Sequence, residues 1–278
     1  MPRSFRFQQV DVFAEKPMEG NALAVVCHAD DLTDAQMAAF ARWTNLSETT
    51  FLLRPTTAQA DYRVRIFTPQ RELPFAGHPT LGSCHVWLAE GGSPRGDRIV
   101  QECEAGLVEI RHDGNHLAFT APPLLRSGAV DSATMRQIAR GLGIDESCIV
   151  ASNWVDNGPG WVGILLSSRE EVLALRADYP ALGGLNLGVI GPWNSANAEA
   201  DVEVRAFMGD EYAEDPVTGS LNASLAQWLI PAGTLPARYR ASQGTVIGRR
   251  GRVNIESESG TIWVGGQVQP VITGTVCI

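Results

Sequence analysis

The chain has 278 residues, 44% of them hydrophobic and 19% charged, with a formal net charge of −9. That apolar fraction excludes a disordered chain, and the length holds one large core or two ordinary domains of about 100–150 residues. An acidic chain is poorly placed to neutralise phosphates, so nucleic acid is not an expected partner. The five cysteines, at 27, 84, 103, 148 and 277, are odd in number and lack C-x-x-C spacing. A disulfide framework and a structural zinc site are therefore not expected, and no metal is expected. The residues before Phe13 contain no apolar signal core. Residues 179–198 carry no charge, but their glycines, prolines and amides argue against a membrane span. A cytoplasmic protein without a membrane partner is expected. Lys16 is the only lysine and lies in no phosphate-loop or Schiff-base motif, which excludes lysine-centred cofactor chemistry.

In chain order, 5–13 and 21–27 read as strands joined by a turn, and 32–43 as a helix capped by Asp31 or Thr33. Strands are expected at 48–53 and 62–68, then a helix from Pro79 to Ala89 stopped by a Gly-Gly pair. Short strands follow at 98–103, 105–111 and 115–120, and the segment from Ala121 reads as a crossing between domains. A helix at 132–143 leads to strands at 149–154, 161–166 and 185–191, with a helix at 168–177 among them. A strand at 202–208 precedes a helix at 216–230, and the remainder reads as short strands with glycine turns. Arg249, Arg250 and Arg252 read as a solvated hairpin turn, and Trp43, Trp154 and Trp161 as core.

The segment 65–88 resembles 205–229. Arg65 and Phe67 match Arg205 and Phe207 at an offset of 140, and Ser83, Trp87 and Leu88 match Ser224, Trp228 and Leu229 at 141. Half of 278 is 139, so the offset suggests two similar domains with loops facing a shared cleft. Many short strands with isolated helices exclude regular βαβ winding and suit a curled sheet around a helix.

Three segments could carry chemistry. In FAGHPTLGS (75–83), His78 precedes Pro79, a residue favoured at the first helical position. The backbone N–H groups that follow would suit a carboxylate. The alternative is a histidine that only caps the helix. In YAEDPVTGS (212–220), Asp215 reads as an N-cap that could also hold a substrate amine or position a proton. In NLSET (45–49), Glu48 opens an apolar run, where a carboxylate gains general-base character. A capping box from Asn45 to Glu48 fits the same spacing. His112 and His116 lie in a turn between strands and do not share a helical face.

DVF…GNALAVV (11–26), NLSET, FTPQRELPFAGHPTLG (67–82), EDPVTGS (214–220) and QGTVIGRRG (243–251) together resemble the PhzF-like family, the phenazine-biosynthesis isomerase group. The resemblance implies the α+β diaminopimelate epimerase fold: two similar domains, each a curled, mostly antiparallel sheet around a central helix. The first would span 1–120, joined by a C-terminal tail from about 265, and the second 121–264. It further implies a cofactor-independent isomerase in which Glu48 moves a proton, His78 and Asp215 assist, and Ser220 with the amides of Gly77 and Gly219 binds a small carboxylated substrate; the alternatives are a different epimerase or lyase reaction on the same scaffold, or a non-catalytic small-molecule binding protein. A homodimer is implied as well. Epimerases of this fold use two cysteines at the helix starts, where this chain has His78 and the pair Thr218–Gly219.

Overall fold

The computed structural model describes residues 3–195 and 197–278. The chain divides into two compact units, Met1–Thr120 with Gly265–Ile278, and Ala121–Val264.

The first unit begins with strands β1 (Ser4–Val12) and β2 (Asn21–Val26). Helix α1 (Asp34–Thr44) starts at a capping box between Thr33 and Gln36 and ends at Asn45, whose φ of 53° closes the last turn. Strands β3 (Glu48–Leu53), β4 (Tyr62–Phe67) and β5 (Glu72–Leu73) then lead to helix α2 (Gly77–Ala89). A meander of β6 (Ile99–Cys103), β7 (Gly106–Asp113) and β8 (His116–Thr120) completes this part of the chain.

The second unit runs through β9 (Arg126–Gly128), α3 (Ser132–Leu142), β10 (Ala151–Asp156) and β11 (Trp161–Leu165). Helices α4 (Arg169–Ala174) and α5 (Tyr179–Leu182) precede β12 (Asn186–Pro192), β13 (Val202–Met208) and β14 (Ala213–Asp215). Helix α6 (Gly219–Leu229) is followed by β15 (Arg238–Gln243) and β16 (Gly251–Glu258). Strand β17 (Thr261–Cys277) ends the chain and belongs to the first unit from Gly265 onward.

Pairing in the first unit forms a closed circuit. β1 lies antiparallel to β2 and β17, β2 parallel to β3, and β3 antiparallel to β4. β4 pairs antiparallel with β5 and parallel with β6, and β7 links β6 to β8, which pairs with β17. The second unit repeats the same order of senses: β10 antiparallel to β11, β11 parallel to β12, and β12 antiparallel to β13. β13 then pairs antiparallel with β14 and parallel with β15, and β15 antiparallel with β16. Identical pairing logic in the two units is the structural form of the sequence repeat.

Each unit buries one helix against its sheet. In α2 nine residues between Gly77 and Val86 are buried, and the helix packs on β1, β2, β3, β4 and β8. A Cβ on Gly82 would lie 2.5 Å from Leu23 Cδ2, so glycine allows this approach. Around α6 the small residues lie on the strands instead: a Cβ on Gly188 would stand 2.1 Å from Leu221 Cδ1. A second apolar layer covers the outer face of each sheet. Met37 and Ala41 of α1 pack with Phe5, Phe51 and Phe67, while Ile138, Leu142, Val172 and Leu182 pack with Leu187 and Phe207.

The same ionic clamp recurs in both units. Arg65 grips Glu72 through Nε at 2.7 Å and Nη2 at 2.6 Å, and lies over the Phe67 ring. Arg205 grips Glu214 through Nε at 3.0 Å and Nη2 at 2.7 Å, and lies over Phe207. Each clamp ties a long strand to the short strand that feeds the buried helix.

Several expectations are corrected. Pro79 is the third residue of α2, where its missing N–H still lacks a helical acceptor, and His78 is the second. Pro216 lies outside α6, whose N-cap is Thr218; Asp215 ends β14 and does not cap the helix. Asn45 closes α1 and Glu48 opens β3, so no capping box joins them. Trp43 is 79% exposed because Met37 and Ala41 face inward at helical spacing, which turns position 43 outward to stack on Phe40. Arg252 is buried within β16, bonded to Ser242 Oγ, the Gly251 carbonyl and Glu199.

Candidate active site

In the first unit, Glu48 enters β3 directly after the last turn of α1. Thr44 and Thr49 hydroxyls meet at 2.9 Å across that junction. Residues 48 and 50 share one face of the strand, and Thr50 Oγ1 accepts a hydrogen bond of 2.9 Å from Ser83 Oγ of α2. This bond fixes strand and helix in register, and Glu48 Oε2 lies 3.3 Å from His78 Nε2.

His78 is 5% exposed, and burial pushes its imidazole down to about 3, so the ring is neutral near pH 7. The positive end of α2 acts in the same direction. A hydrogen bond to the Ala22 backbone opposes burial only in part. Asn21 Nδ2 stands 3.4 Å from His78 Nδ1, and Asp11 holds the turn before it by accepting from Gly20 N at 2.8 Å.

In the second unit, Thr218 Oγ1 donates to Asp215 Oδ2. Gln243, fully buried on β15, contacts the backbone of Asp215 and both backbone and side chain of Thr218. Ser220, the second residue of α6, accepts from Trp161 Nε1 at 3.3 Å, and its carbonyl accepts from Asn157 Nδ2 at 2.9 Å. An indole N–H donating to the Ser220 hydroxyl leaves that hydroxyl's proton to point elsewhere.

The two buried helices share a further property. Helices α1, α3, α4 and α5 have side-chain N-caps from Thr33, Asp131, Ser168 and Asp178. Helices α2 and α6 have no side-chain cap, since the Ala76 side chain carries no oxygen and the Thr218 hydroxyl is turned to Asp215. The amides at Gly77 and Gly219 therefore open helix starts suited to a carboxylate.

Glu48, His78 and Gly77 thus lie together in one unit, and Asp215, Gly219 and Ser220 together in the other. Sequence reasoning gave no role to Asn21 or Gln243, although both lie in the quoted motifs. Trp161 is core, as expected, yet its indole N–H also serves Ser220. Cys84 lies inside α2 with its thiol pushed up to about 12 by burial, so it is no proton-transfer group for the helix start. Among the described residues no group of three or more His, Cys, Asp or Glu side chains is arranged to hold a metal. No helix among them is long and apolar enough to cross a membrane.

A family described as phenazine biosynthesis-like protein matches residues 10–274. The chain is 33% identical to antisense-enhancing sequence 1 of Schizosaccharomyces pombe, covering 96% of this chain and 97% of that one. It is 34% identical to trans-2,3-dihydro-3-hydroxyanthranilate isomerase of Pseudomonas fluorescens, covering 86% of each. Among solved structures, a PhzF-family phenazine biosynthesis protein from Enterococcus faecalis superposes with a TM-score of 0.82 at 24% identity, covering 99% of this chain and 100% of that chain. A hydroxyproline epimerase from Agrobacterium vitis shares the fold at a TM-score of 0.58 and 13% identity, covering 99% of this chain and 93% of that chain. The fold is therefore the expected α+β one.

Proposed function

The chain belongs to the phenazine biosynthesis-like protein family and is an isomerase, and from that premise we propose that Glu48 moves a proton within a small carboxylated substrate without a cofactor. The observation that carries this reading is the 3.3 Å approach of Glu48 Oε2 to a buried, neutral imidazole. A neutral ring offers either an N–H or a lone pair. It can therefore support Glu48 as an ionised base or as a protonated acid, without itself acquiring charge.

The step balances without an oxidant or reductant. The Glu48 carboxylate takes a proton from a saturated carbon, the C–H electron pair shifts a double bond, and protonated Glu48 returns the proton to another carbon. Gly77 and Gly219 amides and Ser220 bind the substrate, and Asp215 holds an N–H or O–H donor on it. A homodimer in the cytoplasm belongs to the same reading. A two-thiol epimerase mechanism finds no support, because His78 and Thr218–Gly219 occupy the helix starts.

The first substrate to test is trans-2,3-dihydro-3-hydroxyanthranilate, named for the Pseudomonas relative. Glu48→Gln should abolish turnover while leaving the unfolding transition in place. An unchanged kcat would overturn the assignment. In heavy water, deuterium enters the product at the carbon that receives the proton where protonated Glu48 exchanges with solvent before returning it, and label at any other carbon would refute the mechanism.

A further inference from the structure

The directions of the hydrogen bonds around Gln243 follow from groups whose roles are fixed. The Thr218 backbone N–H can only donate, and it lies 3.1 Å from Gln243 Oε1. The Asp215 carbonyl can only accept, and it lies 3.1 Å from Gln243 Nε2. These two contacts leave the Gln243 amide one orientation. Asn222 agrees with it: Nδ2 donates to the Thr218 carbonyl at 2.9 Å and also to Gln243 Oε1 at 2.8 Å.

With the amide fixed, Gln243 Nε2 donates to Thr218 Oγ1 at 2.9 Å. The Thr218 hydroxyl accepts from Gln243, so its own proton is available for Asp215 Oδ2, the contact observed. All three polar side chains are buried, with Gln243 at 0%, Asn222 at 1% and Thr218 at 8% exposure. Water cannot easily scramble a relay with so little solvent access.

We propose that Gln243 is a positioning residue: through the Thr218 hydroxyl it fixes Asp215 as a hydrogen-bond acceptor, so that Asp215 recognises an N–H or O–H donor on the substrate. The inference rests on the substrate-binding role given to Asp215 above. The relay explains why Thr218 leaves its own helix uncapped, since its hydroxyl is committed to Asp215. It also narrows the substrate class to carboxylates that carry an amine or hydroxyl donor, as opposed to a bare carbonyl at that point.

Two measurements test the relay. Side-chain amide NMR of the full-length protein should show both Gln243 Nε2 protons exchanging slowly. Thr218→Val removes the hydroxyl alone and should speed exchange of one proton while sparing the one on the Asp215 carbonyl. Exchange of both at the rate of an exposed amide would overturn the wiring. In kinetics with trans-2,3-dihydro-3-hydroxyanthranilate, Thr218→Val should lower kcat/KM about 10–100-fold, as expected for loss of a hydrogen bond to a charged group. Thr218→Ser keeps the hydroxyl and should restore activity to within about threefold, an outcome that a purely packing role for the methyl group would not give. Gln243→Glu replaces the donor by an acceptor, and its loss should shrink when combined with Thr218→Val; full additivity would refute a shared path. Glu48→Gln, run alongside, separates the two ideas. An active Glu48→Gln refutes the proposed chemistry, whereas an inactive one beside a fully active Thr218→Val refutes only the relay.

Discussion

The buried imidazole of His78 makes acid stability the sharpest test of the site's electrostatics. In the unfolded chain the ring titrates at its ordinary value of 6.5, whereas burial holds it at about 3 in the fold. Between those values the unfolded state binds a proton that the folded state does not. Stability from this group is therefore full above pH 6.5 and is lost as pH falls toward 3. At 1.36 kcal/mol per pH unit, the gap between 6.5 and about 3 corresponds to at most about 5 kcal/mol. Urea unfolding at pH 7, 6, 5 and 4 should be compared for the wild type and His78→Gln, which keeps a polar group without the titration. The difference in unfolding free energy should change by about 1.4 kcal/mol per pH unit below pH 6, with the wild type losing ground. Parallel curves would refute the reasoning. They would mean that the ring takes up its proton in the fold as readily as in the unfolded chain, whereas a wild type that gained ground on acidification would pair with Glu48 as an imidazolium.

Two further outcomes follow from packing and burial. Glu214→Gln strands the charge of Arg205, which is buried, and should cost about 3–5 kcal/mol in urea unfolding. Glu72→Gln should cost clearly less, because Arg65 is more exposed and keeps Asp34 at 2.6 Å; equal losses would refute this. Among the cysteines, Cys148 and Cys277 are exposed, while burial pushes the thiols of Cys27 and Cys84 up to about 12. A thiol reagent at pH 8 should label Cys148 and Cys277 quickly and the buried ones only on unfolding. Rapid labelling at Cys27 or Cys84, mapped by mass spectrometry, would show those sites to be open.

What the sequence disclosed depended on how local the cause was. Strand β4 is YRVRIF, an alternating pattern, and the Thr33 cap acts on Gln36 three residues on; both were legible. The two- and three-residue strands β5 and β14 are too short for any period to show. Proline misled at both buried helices. Any of the first helical positions tolerates it, so Pro79 marks a helix start only to within a turn, and Pro216 marks the turn outside α6. Asn21 and Gln243 escaped for a different reason: their partners lie 57 and 25 residues away, and no spacing encodes such contacts.

The ionic clamps show the limit of reading the repeat from sequence. The arginines matched at an offset of 140, but their acids did not, because Glu72 lies seven residues after Arg65 and Glu214 lies nine after Arg205. The connecting loops differ in length, yet each acid accepts the same two guanidinium nitrogens, Nε and Nη2. Glu214 is adjacent to Asp215 in β14, and neighbouring residues of a strand point to opposite faces. A bidentate grip on Glu214 therefore also determines which face Asp215 presents. The loop between arginine and acid can vary in length because the guanidinium fork, with its fixed planar geometry, sets the position of the short strand.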